Sequence, residues 1–390
     1  MPVFALVFAL CSVSCIYSQS FSSGSTGADG ALTLTTPGVI KFDPKSFTPP
    51  LNPAGDNVFN FTTITIASGV VLKLSGRTFS TPIYFLATGP VKIDGGIDIT
   101  GENGHPATNI ASERVPSAPG PGGYPGGVGG SAPGTPTPPM QGSGPGGGAP
   151  GSPGVAASNG TFTGSTYLIP LLGGSGGGGG GSPTSCGAPT YAGGGGAGGG
   201  AIVIASSVSI TLSSTLGTDG IFANSGAGGC TAGHGSGGAI RLVAPVISGA
   251  TEVQTDQVGP PGLIRVEAFQ RSLGCCTRGP IVFSLPFRVL TPATQSQPSI
   301  QVTTINGVPV NANPFSFPDL TINASSPVTV IVAAQNIPVG TVPKILVYSE
   351  FGPDQTVACS ALQGTLLAST CSASITFPTG GTRGFVKANW

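Results

Sequence analysis

Charge is what this sequence has least of: 14 Lys+Arg and 14 Asp+Glu in 390 residues, with a formal net charge of zero. No basic stripe exists to neutralise phosphates, which argues against nucleic acid as a partner. No charged tail points to an acidic or basic partner either. There are only 2 histidines, one tryptophan and no cysteine pair at C-x-x-C spacing, so no zinc motif can be assembled. No glycine run leads into Lys-Ser or Lys-Thr, so the phosphate-cradling loop is missing and no cofactor motif remains. No stretch reaches 18 uninterrupted apolar residues, and no membrane span is expected.

What the chain does have is glycine (66) and proline (38), together more than a quarter of all residues. That share suits low complexity. A mean hydropathy of +0.30, however, is too high for a disordered chain. The glycine concentrates between about 119 and 200, with strand-like apolar runs on both sides. The first 20 residues carry an apolar run, Val3 to Leu10, followed by small and polar residues. That is the length of a signal-peptide core, with cleavage after Ser20, although no Lys or Arg precedes it. A lipid anchor at Cys15 is disfavoured because Ser12 stands where such motifs want Leu.

Six cysteines follow: Cys186, Cys230, Cys275, Cys276, Cys359 and Cys371. An even number in an exported chain favours disulfides over a metal site. Cys359 with Cys371 would flank a hairpin, Cys186 with Cys230 would close a glycine-rich excursion, and Cys275 and Cys276 stay unassigned. Asn60, Asn159 and Asn323 begin N-x-S/T sites, relevant only in a eukaryotic host.

The informative pattern runs from about 58 to 269. PIYFLATG at 82–89, AIVIASS at 201–207, AIRLVA at 239–244 and LIRVEA at 263–268 superimpose. Ile83, Ile202, Ile240 and Ile264 then occupy one position, and Phe85, Ile204, Leu242 and Val266 the next inward one. Period-two alternation puts both positions on one face. Such short ribbons bury too little alone and must stack at about 4.8 Å to share a core. The fold expected is therefore all-β: a parallel β-helix (solenoid) over 58–289, preceded by a cap at 21–57. A linker at 290–297 leads to an immunoglobulin-like β-sandwich at 298–390, with Trp390 as a buried anchor of its last strand. GGGAIVIASSVSITL, GGAIRLVAPVISG and GLIRVEA resemble the glycine-rich right-handed parallel β-helices of secreted bacterial proteins, pectate-lyase-like or adhesin-like. The resemblance implies a secreted or surface location in a bacterial host and leaves the activity open.

Within 119–200, glycine falls at 120, 123, 126 and 129 and again at 148, 151 and 154, but the register breaks between. A collagen helix is excluded. The composition reads first as a flexible or polyproline-II-like excursion. The alternative, suggested by a second glycine-rich loop at 226–238, is that short extended segments pack on one another.

Candidate chemistry is sparse. Asp94, Asp98 and Glu102, with His105 just beyond, are the closest approach to clustered carboxylates, which hydrolyse glycosides or bind calcium. Their simpler reading is as solvent-facing strand and turn residues. Arg241 and Arg265 take the same outward position in successive runs, with Glu267 or Glu252 to relieve the repulsion; the alternative is contact with an anion or uronate. No catalytic residue and no metal ligand is assigned. The function expected is an exported structural or adhesive surface protein, with polysaccharide or cell-surface components as partners. The alternative is a polysaccharide-binding or polysaccharide-degrading protein, and a further one is a coat component assembling through strand edges.

Overall fold

The structure, a computed structural model, describes residues 20–110, 113–131, 138–152, 154–181, 186, 191–213, 217, 219–274, 277–291, 299–310, 322, 326–349, 355–377 and 384–390. The expected leader, Cys15, Cys275, Cys276, Asn323 and most of the 290–297 linker lie outside the described residues. The described residues are all-β, with one 3-10 turn at Pro44–Ser46 and no α-helix. No helix among them is long and apolar enough to cross a membrane.

β1 (Gly30–Leu34) and β2 (Gly38–Lys41) are followed by β3 (Val58–Ile66) and β4 (Val70–Lys73). A three-strand unit then repeats. It begins with β5 (Ile83–Ala87), β6 (Val91–Ile93) and β7 (Gly96–Asp98), and continues with β8 (Ala201–Ser206), β9 (Ser209–Ser213) and β10 (Gly220–Phe222). Next come β11 (Ala239–Val243), β12 (Val246–Ala250) and β13 (Glu252–Gln254), then β14 (Leu263–Glu267), β15 (Gln270–Leu273) and β16 (Thr277–Arg278), and lastly β17 (Ile281–Ser284). Like pairs with like, always parallel: β5-β8-β11-β14-β17, β6-β9-β12-β15 and β4-β7-β10-β13-β16. β3 joins the first two rows, because its first half pairs with β5 and its second half with β6.

The register stacks Ile83, Ile202, Ile240, Ile264 and Ile281 in one column and Phe85, Ile204, Leu242, Val266 and Phe283 in the next. All but the two residues of β17 meet Ile210, Ile247, Leu72, Ile97 and Ile221 from the other rows in a single buried cluster; Ile281 packs against it half-buried, and Phe283 is exposed. Each strand alone is too short to bury a core, so the cluster exists only because the strands lie one above another. Near the start of the chain Phe42, Phe59, Phe61, Phe79 and Phe85 pack edge to face and stacked, covering that end of the core.

β5, β8, β11 and β14 are buried on both faces. The outward residues Tyr84, Leu86, Val203, Ala205 and Val243 lie beneath Phe162, Leu168 and Leu171 of the glycine-rich insertion. A strand covered on both sides reads as a continuous apolar run, which is how IYFLA and AIVIA read.

Glycine-rich segments pack into a bundle of extended legs, resolving the excursion in favour of the packed alternative. Legs 99–105, 123–131, 147–152, 173–181 and 223–229 lead away from the strands, and 116–120, 140–143, 155–161, 191–200 and 232–238 return. Their directions follow from hydrogen bonds repeating every third residue. Gly200, Ala197 and Gly194 donate to Ile99, Glu102 and His105, antiparallel; Tyr124, Gly127 and Gly130 donate to Gly174, Gly177 and Gly180, parallel.

Leg 173–181 uses its whole circumference. Gly174, Gly177 and Gly180 donate to Gly199, Gly196 and Gly193; Gly176 and Gly179 donate to Ser143 and Met140; Gly178 donates to Ser158, all at 2.8–3.0 Å. Its carbonyls accept from 123–131, from Gly148 and Gly151, and from Gly233 and Ser236. A three-residue repeat with every amide bonded outward is what polyproline-II geometry offers, since that helix makes no internal bonds. Only glycine tolerates the resulting spacing. A Cβ on Gly177 would fall well inside 3.0 Å of the Gly233 and His234 carbonyl oxygens. The insertion leaves the strands undisturbed, because β5 and β8 pair directly across it.

The C-terminal part is antiparallel. β18 (Ser299–Ile305), β19 (Val308–Pro309), β20 (Val328–Gln335), β23 (Gln363–Thr365) and β24 (Ala368–Ile375) form one sheet, and β21 (Lys344–Ser349), β22 (Gln355–Ala358) and β25 (Gly384–Asn389) a second. Strict alternation along β20 and β24 turns Val330, Val332, Ala373 and Ile375 toward Ile345 and Val347 of the smaller sheet. Cys359, just past β22, bonds Cys371 of β24, with Cα atoms 5.9 Å apart. Trp390 is exposed among the described residues, contrary to expectation, because β25 ends at Asn389, before it.

Candidate functional site

The three candidate carboxylates are each matched to a cation of their own. Asp98 ends β7 and lies beside Lys73 of β4, its register partner, with Nζ to Oδ2 at 3.0 Å. Glu102, at the start of the first glycine leg, takes Arg77 in a two-pronged pair at 2.8 and 2.6 Å. Burial works to raise the Glu102 carboxyl, but the Arg77 hydrogen bond and charge outweigh it and hold it below its ordinary value. Asp94 is bonded by Lys92 at 2.7 Å and by the Ser213 hydroxyl. Its carboxyl likewise sits low, because those bonds overcome its burial and the repulsion of Asp219. No group of three or more His, Cys, Asp or Glu able to hold a metal occurs among the described residues.

Arg241 and Arg265 are adjacent register partners on β11 and β14, as the superposition placed them. Their outward position is not a solvent position. Arg241 is 2% exposed and Glu267 0%. Glu267 lies between the two guanidiniums: Arg241 Nε and Nη2 donate to it at 2.9 and 3.2 Å, and Arg265 Nε at 2.6 Å. The remaining bonds reach into the covering segments. Arg265 donates to the Thr166 carbonyl at 2.9 Å and the Ser284 hydroxyl at 2.8 Å, and the Phe287 amide donates to Glu267 at 2.8 Å. Tyr167 caps Arg265 with its ring 5.3 Å from the guanidinium carbon. Burial pushes the nearby Tyr84 phenol up to about 12, against the pull of Arg241. Glu252, the other relief considered, bonds Arg278 instead, at 3.2 Å. The cluster thus fastens 162–171 and 285–289 over the strands and is closed to a ligand.

What the fold gathers at one place is the outer end of the glycine bundle. The described parts of its turns are 106–110, 113–115, 138–139, 152, 154, 186 and 230–231, and Cys186 bonds Cys230 there, with Cα atoms 5.6 Å apart. Beneath the turns His105 and Arg114 are both buried. His105 Nε2 accepts the Gly129 N–H at 3.1 Å, and Arg114 Nη2 donates to the Gly129 carbonyl at 2.9 Å, so the two successive peptides of Gly129 are each held by one side chain. His105 Nδ1 bonds the Pro106 carbonyl at 2.8 Å, which makes Nδ1 the protonated nitrogen. The Arg114 guanidinium also lies 4.9 Å from the centre of the Tyr191 ring. Exposed side chains at this end of the bundle include Ile110 and Val155. Arg114 was missed in the sequence; the one signal was a lone arginine standing just before the glycine tract.

No protein-family model, no curated protein and no solved structure matches this chain.

Proposed function

We propose that this chain is an exported, non-catalytic surface protein. In this reading the stacked strands are a right-handed parallel β-helix serving as a rigid mount, and the antiparallel part is an immunoglobulin-like module that holds or presents it. The glycine bundle carries a set of turns forward as the contact face for a polysaccharide or another cell-surface component. The observation that carries the reading is the bundle itself. A lattice of backbone hydrogen bonds around every leg is a stiff, uncharged support for the small surface at its outer end. Two disulfides support an oxidising compartment. The pairing of Asp94, Asp98 and Glu102 with Lys92, Lys73 and Arg77 weighs against the alternative of hydrolysis or lyase chemistry, which needs an unneutralised acid and base.

The test combines two assays on the full chain. Incubation with pectin and alginate is expected to release no unsaturated uronide. Retention on immobilised cell-surface polysaccharide is expected to fall at least about tenfold in the double variant Ile110→Asp, Val155→Asp, the loss of roughly 1.4 kcal/mol of contact. Turnover that disappears in Asp94→Asn would replace this reading with the enzymatic one.

A further inference from the structure

The bundle encloses a titratable group whose neutral form is part of its hydrogen-bond lattice. His105 closes the first outward leg, and its ring lies against Gly194, where a Cβ would fall inside 3.0 Å of the imidazole. The same residue's carbonyl accepts the Gly194 N–H at 2.9 Å. Both ring nitrogens are therefore committed, Nδ1 to Pro106 and Nε2 to Gly129, and the residue is buried.

We propose that His105 is an acid-sensitive clasp on the outer end of the bundle: a proton on Nε2 expels the Gly129 N–H and frees leg 123–131. Protonation converts the ring's one acceptor into a donor, so two N–H groups face each other at 3.1 Å. It also places an imidazolium near the Arg114 guanidinium, which holds the carbonyl of the same glycine. The surroundings offer little relief. On its own leg Glu102 is taken by Arg77. Segment 113–115 supplies Glu113 and Arg114, of which the arginine has the stronger influence on the ring. Leg 123–131 contributes only Tyr124, whose phenol burial pushes up, and leg 191–200 only Tyr191, stacked on Arg114. The 223–238 hairpin adds His234, whose Nδ1 accepts the Gly228 N–H.

Burial, aided by Arg114 and opposed by the Pro106 bond, holds His105 down to about 4, against 6.5 for an ordinary histidine. The sign follows directly. The open form binds a proton below 6.5 and the closed form only below about 4, so the closed form is fully favoured above 6.5 and yields as pH falls. One proton gives up to tenfold per pH unit, about 100-fold by pH 4 and roughly 300-fold at the limit below it. This inference rests on the bundle's geometry and stands whether or not its outer end binds a partner.

The experiment is hydrogen exchange on the full chain from pH 7 to 4, corrected for intrinsic exchange rates, in wild type and in His105→Gln. The glutamine supplies an amide oxygen for Gly129 and does not titrate. In wild type, protection of 123–131 is expected to fall by about 100-fold while 239–243 keeps its protection. In His105→Gln the same amides are expected to stay level over this range. Parallel loss in both proteins, or no loss in wild type, would overturn the proposal. Should His105→Gln fail to form the bundle at pH 7, selective labelling of the histidine ring carbons in wild type decides. A midpoint below 5 that moves together with the Gly129 amide supports the clasp, and a midpoint near 6.5 with a silent Gly129 amide rejects it.

Discussion

The parallel strands and the glycine bundle lie next to each other in the chain and are built on opposite principles. The strands hide hydrocarbon: Ile202, Ile240 and Ile264 are 0% exposed, and their backbone bonds follow from stacking those side chains. The bundle hides almost none, and its order comes from amides and carbonyls directed around each leg at three-residue intervals. A net gain of about 1 kcal/mol for each such bond is small, and glycine loses more conformational freedom on folding than any other residue. The bundle is therefore stable only as a complete lattice fixed at its base to the strands. The comparison teaches that one chain can use side chains where they pack and remove them where backbone must pack.

Three substitutions sharpen the contrast. The largest effect is expected from Gly177→Val at the centre of the bundle, where no neighbour can move because the colliding atoms are backbone. About 5 kcal/mol should be lost, read as collapse of exchange protection throughout 173–181 and its surrounding legs. Glu267→Gln comes second. It leaves Arg241 and Arg265 stacked without the carboxylate between them, and about 4 kcal/mol should be lost, visible in urea unfolding and in protease access to 162–171. The smallest is Ile240→Val, which removes one methylene from a column that shares its load along several strands. About 1 kcal/mol should be lost, read from the urea unfolding curve, with bundle protection unchanged. A larger loss from Ile240→Val than from Gly177→Val would invert the account.

The parallel strands were legible because their apolar residues alternate, and the superposition of Ile83, Ile202, Ile240 and Ile264 is the observed register. The packing of the bundle was much less so. Its partners are backbone groups that every residue carries, and the only trace was glycine at 120, 123, 126 and 129, a spacing equal to the hydrogen-bond period. The burial of Arg241 and Arg265 was hidden because their cover, Phe162 to Leu171, is set inside the glycine tract far from either arginine. The cations that neutralise the carboxylates were within reach. Lys73 precedes Asp98 and Arg77 precedes Glu102 by the same 25 residues, so laying VVLKLSGR over IDITGE would have paired both. Trp390 misled because a lone tryptophan suggests an anchor, whereas here it follows the last strand.

The three-residue period of the legs also governs how such a molecule can change its height. Adding or deleting one residue in a leg would turn each of its bonding faces toward the wrong neighbour. Only steps of three preserve the match, each lengthening a leg by about 9 Å, and adjoining legs must follow to keep their bonds. Variation in length is thereby steered to the turns at the far end, where an added residue leaves the bonding faces of the legs in register.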